Sequence, residues 1–197
     1  MSIGEEMKKV YDEMVMVYTE TGRLIAVIEG EFAKKGWTAV GDHGITWDTS
    51  KSYEYPNFWL PYFMQRVYTK DNVKKGVAIN ILFDGLDEDH QIAYPIISGA
   101  VAERTDSLSL GKCNPITWAG WKKDSHPLSN DYPKLYQTDY TDITITNYLL
   151  PLDKISCEAK VRELIVEPLI QMYEGKFEAV YTMLEEEINL LDELSTQ

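Results

Sequence analysis

The sequence predicts a single α+β domain over residues 1–197, with an antiparallel sheet of about four to six strands packed by a long N-terminal helix and C-terminal helices. Three observations lead to this prediction. Apolar residues recur at helical spacing near both ends of the chain, and several short runs rich in β-branched and aromatic residues lie between them. The alternation of strand and helix that a parallel sheet requires is not visible along the chain.

The N-terminal segment has the clearest periodicity and predicts a helix over about residues 3–35. Ser2 followed by Glu5 matches a capping box, and Gly36 stands where a left-handed residue would end the helix. The apolar residues step alternately by four and three, as in a coiled-coil seam. These residues are Ile3, Met7, Val10, Met14, Val17, Thr21, Leu24 and Ile28. A stripe of this kind must be covered, either by the same chain or by another.

Residues 37–150 are expected to supply the sheet. Two short β-prone runs around the turn at 41–44 predict a small hairpin. Three later runs at regular spacing predict an antiparallel meander, and a fourth run predicts one more strand. These four runs lie at 58–68, 77–83, 91–104 and 140–150. Residues 105–139 show no convincing period, so we predict an irregular segment that is functional or contains short elements.

The C-terminal region returns to a helical pattern at about residues 156–194. Ser156 is the expected cap of a first helix, which has a kink or boundary near Pro168. Gly175 separates it from a last helix at about 176–194, where the apolar residues again step by four and three. The simplest interpretation is that the two terminal helices pack antiparallel within one molecule.

The charge of the chain narrows the classes of partner. There are 32 acidic and 19 basic residues, the net charge is −13, and the basic residues cluster only in pairs. Phosphate backbones are bound through clustered Lys and Arg, so we expect no binding to nucleic acid or to an anionic membrane. The N-terminal residues lack the features of a signal peptide, and no apolar run reaches the roughly 18 residues of a membrane span. We therefore expect a cytoplasmic protein.

No sequence motif identifies a reaction. The P-loop, the dinucleotide-binding glycine pattern, the serine-hydrolase elbow and the zinc-protease helix are absent from the sequence. The acidic turn at 84–90 is interpreted as a solvated hairpin turn, and His43 beside Asp42 has no recognisable nucleophile. We predict no metal and no cofactor, whereas the sequence identifies no catalytic residue and leaves open whether the protein is an enzyme.

One region is a candidate ligand site. Residues 105–139 combine large aromatic residues with prolines, and aromatic residues in irregular segments often line a pocket. The candidates for the lining are Trp118, Trp121 and His126. Arg66 and Arg104 lie within apolar strand runs and are candidate anchors for an anion, although an internal ion pair is the simpler interpretation of each.

Two functions from different classes follow from these observations. The leading prediction is a non-catalytic protein-interaction or regulatory module, in which the terminal helices self-associate, as in a dimer, or the acidic last helix attracts a basic partner protein. The alternative is a small-molecule binding protein or an enzyme, with an anionic ligand in a pocket bordered by residues 105–139. Deletion of residues 178–197 would unfold the chain if the last helix belongs to the core.

Overall fold

A long helix, an antiparallel sheet and a group of C-terminal helices make up the described part of the chain, which confirms the predicted α+β class. The computed structural model describes residues 2–41, 45–46, 63–70, 74–83, 92–105 and 125–189, with the backbone alone at 45–46. Among these residues, no helix is long and apolar enough to cross a membrane.

The first helix, α1, spans Ile3–Lys34. The Ser2 amide donates to Glu5 Oε2 at 2.6 Å and the Glu5 amide donates to Ser2 Oγ at 3.3 Å, which completes the capping box. Gly36 has a φ of 80°, the left-handed conformation that commonly follows a helix. Both predicted ends of this helix are therefore confirmed.

The described residues form one sheet of eight strands, more than the four to six that the sequence predicts. The strands are β1 (Thr38–Ala39), β2 (Ile45–Thr46), β3 (Phe63–Thr69), β4 (Lys75–Leu82), β5 (Ile96–Arg104), β6 (His126–Ser129), β7 (Tyr132–Asp139) and β8 (Ile143–Pro151). Their order is β1-β3-β4-β5-β8-β7-β6, with β2 also paired to β3, and every pair is antiparallel. Consecutive pairing of β3, β4 and β5 confirms the predicted meander.

The small hairpin expected around residues 41–44 is replaced by a different pairing. Thr38 of β1 lies opposite Thr69, and Ile45 of β2 lies opposite Gln65, so both short strands pair with β3. Two-residue strands make too few contacts to stabilise a hairpin of their own, whereas β3 offers a ladder of seven residues. The expected hairpin is therefore wrong, although both β-prone runs are strands.

Residues 125–139 also differ from the expectation, because the segment predicted to be irregular ends in the β6–β7 hairpin. The sequence did not predict these strands because they contain Pro127 and Pro133, and proline is disfavoured within a sheet. Pro127 is tolerated because β6 is the last strand of the sheet and the pairing shifts between Pro127 and Ser129. Pro133 lies in the part of β7 that precedes its pairing with β8, which covers Tyr136–Asp139. Residues 106–124 of this segment lie outside the described residues.

The C-terminal helices are interrupted more often than the sequence predicts. Helices α2 (Glu158–Val161) and α3 (Glu167–Tyr173) are joined by a π-helical stretch at Arg162–Val166, and α4 spans Phe177–Leu184. The irregular stretch ends beside Pro168, which has no amide hydrogen to donate to the preceding turn. Gly175 between α3 and α4 has a φ of 77°, which confirms it as the predicted separator.

The sheet buries side chains on both faces. The helix face packs against α1 and the C-terminal helices, and its largest buried side chains include Tyr68, Ile79, Ile81, Ile97, Leu135 and Tyr148. The opposite face, called the second face, has smaller apolar residues at its centre: Val67, Ala78, Ala100, Ala102, Ile143 and Ile145. The two faces therefore differ in the size of the side chains that they bury.

Tyr148 on β8 joins the sheet to the interrupted helix. Its hydroxyl donates to the Leu164 carbonyl at 2.8 Å and lies 3.4 Å from the Ile165 carbonyl. Pro168 stands four residues after Leu164 and has no N–H, so the Leu164 carbonyl lacks its α-helical donor. The Tyr148 ring lies over Gly99, its partner in the register of β5 and β8. The tyrosine hydroxyl therefore takes the place of the amide that proline cannot supply.

Candidate functional site

The residues predicted to line a ligand pocket are distributed over the chain. Trp118 and Trp121 lie outside the described residues, so their part of the predicted pocket stays a prediction. His126 is exposed on β6, at one end of the sheet. Arg66 lies on β3 near the other end, opposite Ile79 on the helix face. His126 and Arg66 are therefore on strands separated by most of the sheet.

Both candidate arginines form ion pairs within the molecule. Arg66 Nε lies 3.2 Å from Glu29 Oε2 of α1, and Arg66 Nη1 donates to the Gly41 carbonyl at 3.0 Å. Arg104 Nη2 donates to Asp142 Oδ2 at 2.8 Å. Each guanidinium is buried while its carboxylate partner is partly exposed. The simpler interpretation, an internal ion pair, is confirmed for both residues.

Exposed apolar side chains in the described residues are concentrated on the N-terminal half of α1. Ile3 is 78% exposed, Met7 70% and Val10 55%. Together with the half-buried Met14 and the exposed Val17 they form one row along the helix, called the uncovered stripe. Contiguous apolar patches of this kind on a folded protein mark interaction sites more often than they mark ordinary surface.

The uncovered stripe continues the face by which α1 packs on the rest of the chain. Three residues that follow it at helical spacing are buried: Thr21, Ile28 and Phe32. This covered half packs on the helical segment 158–166 and on the sheet. Tyr18 lies at the boundary between the exposed and the covered half of α1, and its ring centroid is 5.4 Å from that of Phe83. Within the described part of the chain, therefore, the C-terminal half of the predicted seam is packed in the core and the N-terminal half is exposed.

The terminal helices are not the antiparallel pair that the sequence suggests. α1 packs mainly on the segment 158–166, whereas α4 packs on α3 and β7. Val180, Leu184 and Ile188 are buried in the core, so α4 is part of it. We therefore expect deletion of residues 178–197 to unfold the chain rather than to release a partner.

A groove of about 490 Å³ lies beside the uncovered stripe and is called the α1 groove. One wall is α1 and the other is the chain from Leu152 to Val161, which follows β8. The apolar side chains of the two walls are Met16, Val17, Leu24, Val27, Leu152, Ile155 and Val161. Its charged members are Glu20, Arg23 and Glu158. The groove extends the apolar surface of the stripe onto a second element of the fold.

A buried carboxylate holds α1 against the second wall of the groove. Glu31 is buried, lies 2.9 Å from Arg162 Nε and pairs with Lys34 on its own helix. Glu158 of α2 pairs with the same two cations, at 3.2 Å from Arg162 and 3.4 Å from Lys34. The hydrogen bond with Glu31 is the main reason that the pKa of Lys34 is raised above its ordinary value. Ion pairs therefore supplement apolar packing between α1 and α2.

Acidic residues flank the uncovered stripe on the side of the groove. Glu6, Glu13 and Glu20, called the acidic row, recur every seven residues, which is about 10.5 Å along a helix. Glu13 lies 3.7 Å from Lys9, and Glu20 pairs with Arg23. These ion pairs are exposed and are worth little in free energy. The acidic row can therefore exchange them for the charges of a partner.

Cys157 lines the groove and occupies the N-cap position of α2, one residue later than the Ser156 cap that the sequence predicts. Its side chain is exposed. The amide of Lys160 is the main cause of a thiol pKa below the ordinary value, and Ala159 and Ser156 contribute further. Backbone amides at the start of a helix favour the thiolate because their hydrogens carry partial positive charge.

We expect the alkylation of Cys157 to report this environment. The chain has two cysteines, so a Cys113→Ser variant leaves Cys157 as its only thiol. The rate of its reaction with iodoacetamide should rise with pH, and the midpoint of that rise should be lower in the folded protein than in urea. The reason is that a lowered pKa in the folded state leaves thiolate present at pH values where the unfolded thiol is protonated. Mass spectrometry of quenched samples measures both midpoints. Equal midpoints would show that the helix amides do not act on the thiol.

The second face of the sheet carries a buried polar band. Gln65 on β3 lies opposite Asn80 on β4, and Asn80 lies opposite Ser98 on β5; all three are buried. Asn147 on β8 donates to Ser98 Oγ at 3.3 Å. Both side-chain amide atoms of Gln65 are buried, and neither has a hydrogen-bond partner among the residues that the structure describes. A buried amide without a partner is costly and therefore unusual.

Comparison with protein-family models, with curated proteins and with solved structures finds no match to this chain. Among the described residues, no group of three or more His, Cys, Asp or Glu side chains could hold a metal ion. The strongest candidate site is therefore the surface formed by the uncovered stripe, the α1 groove and the acidic row. The four-three spacing predicts the stripe, but the groove had no signal in the sequence because its two walls are far apart along the chain.

Proposed function

We propose that this chain is a non-catalytic protein-interaction module that binds a partner protein on the N-terminal half of α1. The observation that carries the proposal is the uncovered stripe, an exposed apolar row on a helix whose other half is held in the core. Covering apolar surface is favourable by about 25 cal/mol per Å². A partner that covers the stripe therefore gains binding free energy from side chains that are exposed to water in the described structure.

The rigidity of α1 supports the proposal. Its N-terminus is closed by the capping box, and Lys8 pairs with Asp12 one turn later. The ion pairs of Glu31 with Arg162 and of Lys34 with Glu158 hold the other half of the helix against the 158–166 segment. A helix that is formed before binding does not have to be ordered by the partner, which reduces the entropic cost of association.

Site-specific cross-linking tests the proposal. A photo-reactive residue replaces Met7 in one variant and Asp12 in another, and cross-linking is carried out in cells of the source organism. Asp12 is the control because it is exposed on the opposite side of the same helix. We expect one defined protein adduct from position 7, identified by mass spectrometry, and none of that protein from position 12.

Purified components complete this test. The identified protein should bind the full chain, and a Met7→Gln, Val10→Gln double variant should bind at least ten-fold more weakly while its circular dichroism spectrum is unchanged. Absence of an adduct at position 7, the same adduct at both positions, or full binding by the double variant would each overturn the proposal.

A second candidate function is small-molecule binding, and the observation that favours it is the unpartnered amide of Gln65 within the polar band. The described members of the band are uncharged amides and a hydroxyl, so they suit a neutral polar ligand such as a nucleoside or a sugar better than the anion expected from the sequence. Buried polar groups without partners are places where a ligand supplies the missing hydrogen bonds.

Replacement of Gln65 by methionine is expected to raise the free energy of unfolding by about 1 kcal/mol, because it removes a buried amide that has no partner in the described residues. The matched control is Ser98→Ala, which removes the acceptor of Asn147 and is expected to lower the free energy of unfolding. Urea denaturation measures both. A loss of stability in Gln65→Met comparable with that of Ser98→Ala would remove the support for a ligand at this position.

A further inference from the structure

We infer that the partner of this surface is an amphipathic helix, with an apolar face that covers the uncovered stripe and Lys or Arg along the flank that meets the acidic row. The inference rests on the proposed function and adds the chemistry of the partner. A second copy of this chain and a basic helix would bring different shapes and charges to the surface.

The shape of the surface suits a helix. The α1 groove has two walls, α1 itself and the chain from Leu152 to Val161, and both present apolar side chains. Beyond the groove the stripe continues from Val17 to Ile3, which is about 21 Å at 1.5 Å per residue. A partner helix of about four turns covers that length and can place its inner end between the two walls. This is the helix-in-groove mode of recognition.

A second copy of the chain cannot pair with the stripe in parallel. Thr21, Ile28 and Phe32 continue the stripe and are buried against the molecule's own sheet and C-terminal helices. In a parallel pair with facing stripes, the corresponding part of the partner's α1 would occupy that same volume. The steric conflict affects both copies, since the pair is symmetric.

An antiparallel pair of copies avoids this conflict but brings like charges together. Two-fold symmetry places the acidic row of one copy beside the acidic row of the other, with Glu13 near its own symmetry mate and Glu6 near Glu20. Like charges that face each other across a helix pair disfavour association. Self-association through α1 is therefore opposed in the parallel orientation by a steric conflict and in the antiparallel orientation by repulsion between like charges.

A basic helix meets neither obstacle. Lys or Arg repeated every seven residues beside its apolar face would lie along Glu6, Glu13 and Glu20, which have the same repeat. The net charge of −13 also accelerates the approach of a basic partner at low salt. The same acidic row opposes an anionic membrane, the other surface that attracts an exposed apolar helix face.

Designed peptides test the inference with the full-length protein. The basic peptide has four heptads with leucine and isoleucine in the seam and lysine on both flanks. The acidic peptide has glutamate on the flanks, and a scrambled peptide has the composition of the basic one without its periodicity. We expect 1:1 binding of the basic peptide, measured by fluorescence anisotropy, at least ten-fold tighter than that of either other peptide. The preference over the acidic peptide should shrink between 50 and 500 mM salt, which is about the range over which surface charges become screened.

Variants of the chain locate the binding. A triple variant, Glu6→Lys with Glu13→Lys and Glu20→Lys, should reverse the preference and bind the acidic peptide. The control variant carries Asp12→Lys, Asp131→Lys and Glu186→Lys, which change the same number of charges at exposed positions away from the acidic row. It should keep the preference for the basic peptide. In the Cys113→Ser variant, the bound basic peptide should slow the alkylation of Cys157 in the groove at least five-fold.

The outcomes separate this inference from the proposed function. Equal binding of the basic and scrambled peptides, an unchanged preference in the triple variant, or Cys157 alkylation that the peptide does not slow would each overturn the basic helix. A concentration-dependent dimer in sedimentation that is lost in Met7→Gln, Val10→Gln would replace it with self-association. Binding of the chain to vesicles of anionic phospholipid would replace it with a membrane. If the partner cross-linked at position 7 is not helical at its contact site, this inference is overturned while the proposed function is supported.

Discussion

Replacement of Gly99 by alanine is expected to lower the free energy of unfolding by about 2 to 3 kcal/mol. An added Cβ would lie 2.5 Å from Tyr148 Cζ, 2.6 Å from its Oη and 2.9 Å from Cε1. The ring cannot move aside cheaply, because it is fully buried and its hydroxyl is bonded to the Leu164 carbonyl. The substitution must therefore displace either β5 or the tyrosine and the helix that it holds.

Gly22→Ala is the matched control for this prediction. Gly22 lies in the exposed part of α1, and an added Cβ meets nothing within 4 Å in the described structure. Alanine within a helix is favoured over glycine by about 0.5 to 1 kcal/mol, so this variant should be more stable than the parent. Urea denaturation followed by circular dichroism compares the two. If both substitutions changed stability in the same direction, close packing at Gly99 would not be the cause.

Replacement of Tyr148 by phenylalanine is expected to cost about 1 to 3 kcal/mol, which is the cost of leaving a buried hydrogen-bonding group without its partner. The ring remains, so the loss reports the hydroxyl alone. Pro168 cannot donate to the Leu164 carbonyl, and the Tyr148 hydroxyl does so at 2.8 Å. Burial raises the pKa of Tyr148 above its ordinary value, so the hydroxyl is protonated and can donate at neutral pH.

Tyr68→Phe is the control for Tyr148→Phe. Tyr68 is also fully buried, it stacks on Phe32 with ring centroids 4.6 Å apart, and its hydroxyl has no hydrogen-bond partner among the described residues. Its removal should leave stability unchanged or slightly increased. In a Pro168→Ala background, Tyr148→Phe should cost less, because residue 168 then carries an amide hydrogen one turn after Leu164. Equal costs of the two Tyr→Phe substitutions would show that the Leu164 carbonyl does not depend on the hydroxyl.

Local patterns were sufficient for much of the fold. The ends of α1 follow from Ser2, Glu5 and Gly36, because a capping box and a left-handed glycine act within one turn of the helix. The β3–β4–β5 meander follows from runs of branched residues separated by turns. The β6–β7 hairpin could not be predicted in this way, because Pro127 is tolerated at an edge that the order of the strands creates and Pro133 before the part of β7 that pairs with β8.

The candidate site, like the fold, was predictable from the sequence only in part. The apolar seam of α1 was predictable from spacing, and so was the possibility that it is shared with another molecule. The roles of Arg66 and Arg104 were not decided by spacing, since Glu29 and Asp142 are distant in the sequence and meet them only in the folded chain. The role of Glu31 could not be predicted either, because Glu31 pairs with Arg162, which lies far along the sequence in the C-terminal helical region.

Helical spacing and capping residues were enough to predict a long helix with one apolar stripe, runs of branched residues predicted antiparallel strands, and composition gives the large negative charge. That the stripe is covered from Thr21 onward, and exposed before it in the described structure, became visible in the packed molecule. The physical reason is that periodicity describes which side chains share a face of a helix, whereas the extent of burial depends on how far the sheet and the 158–166 segment reach along that face.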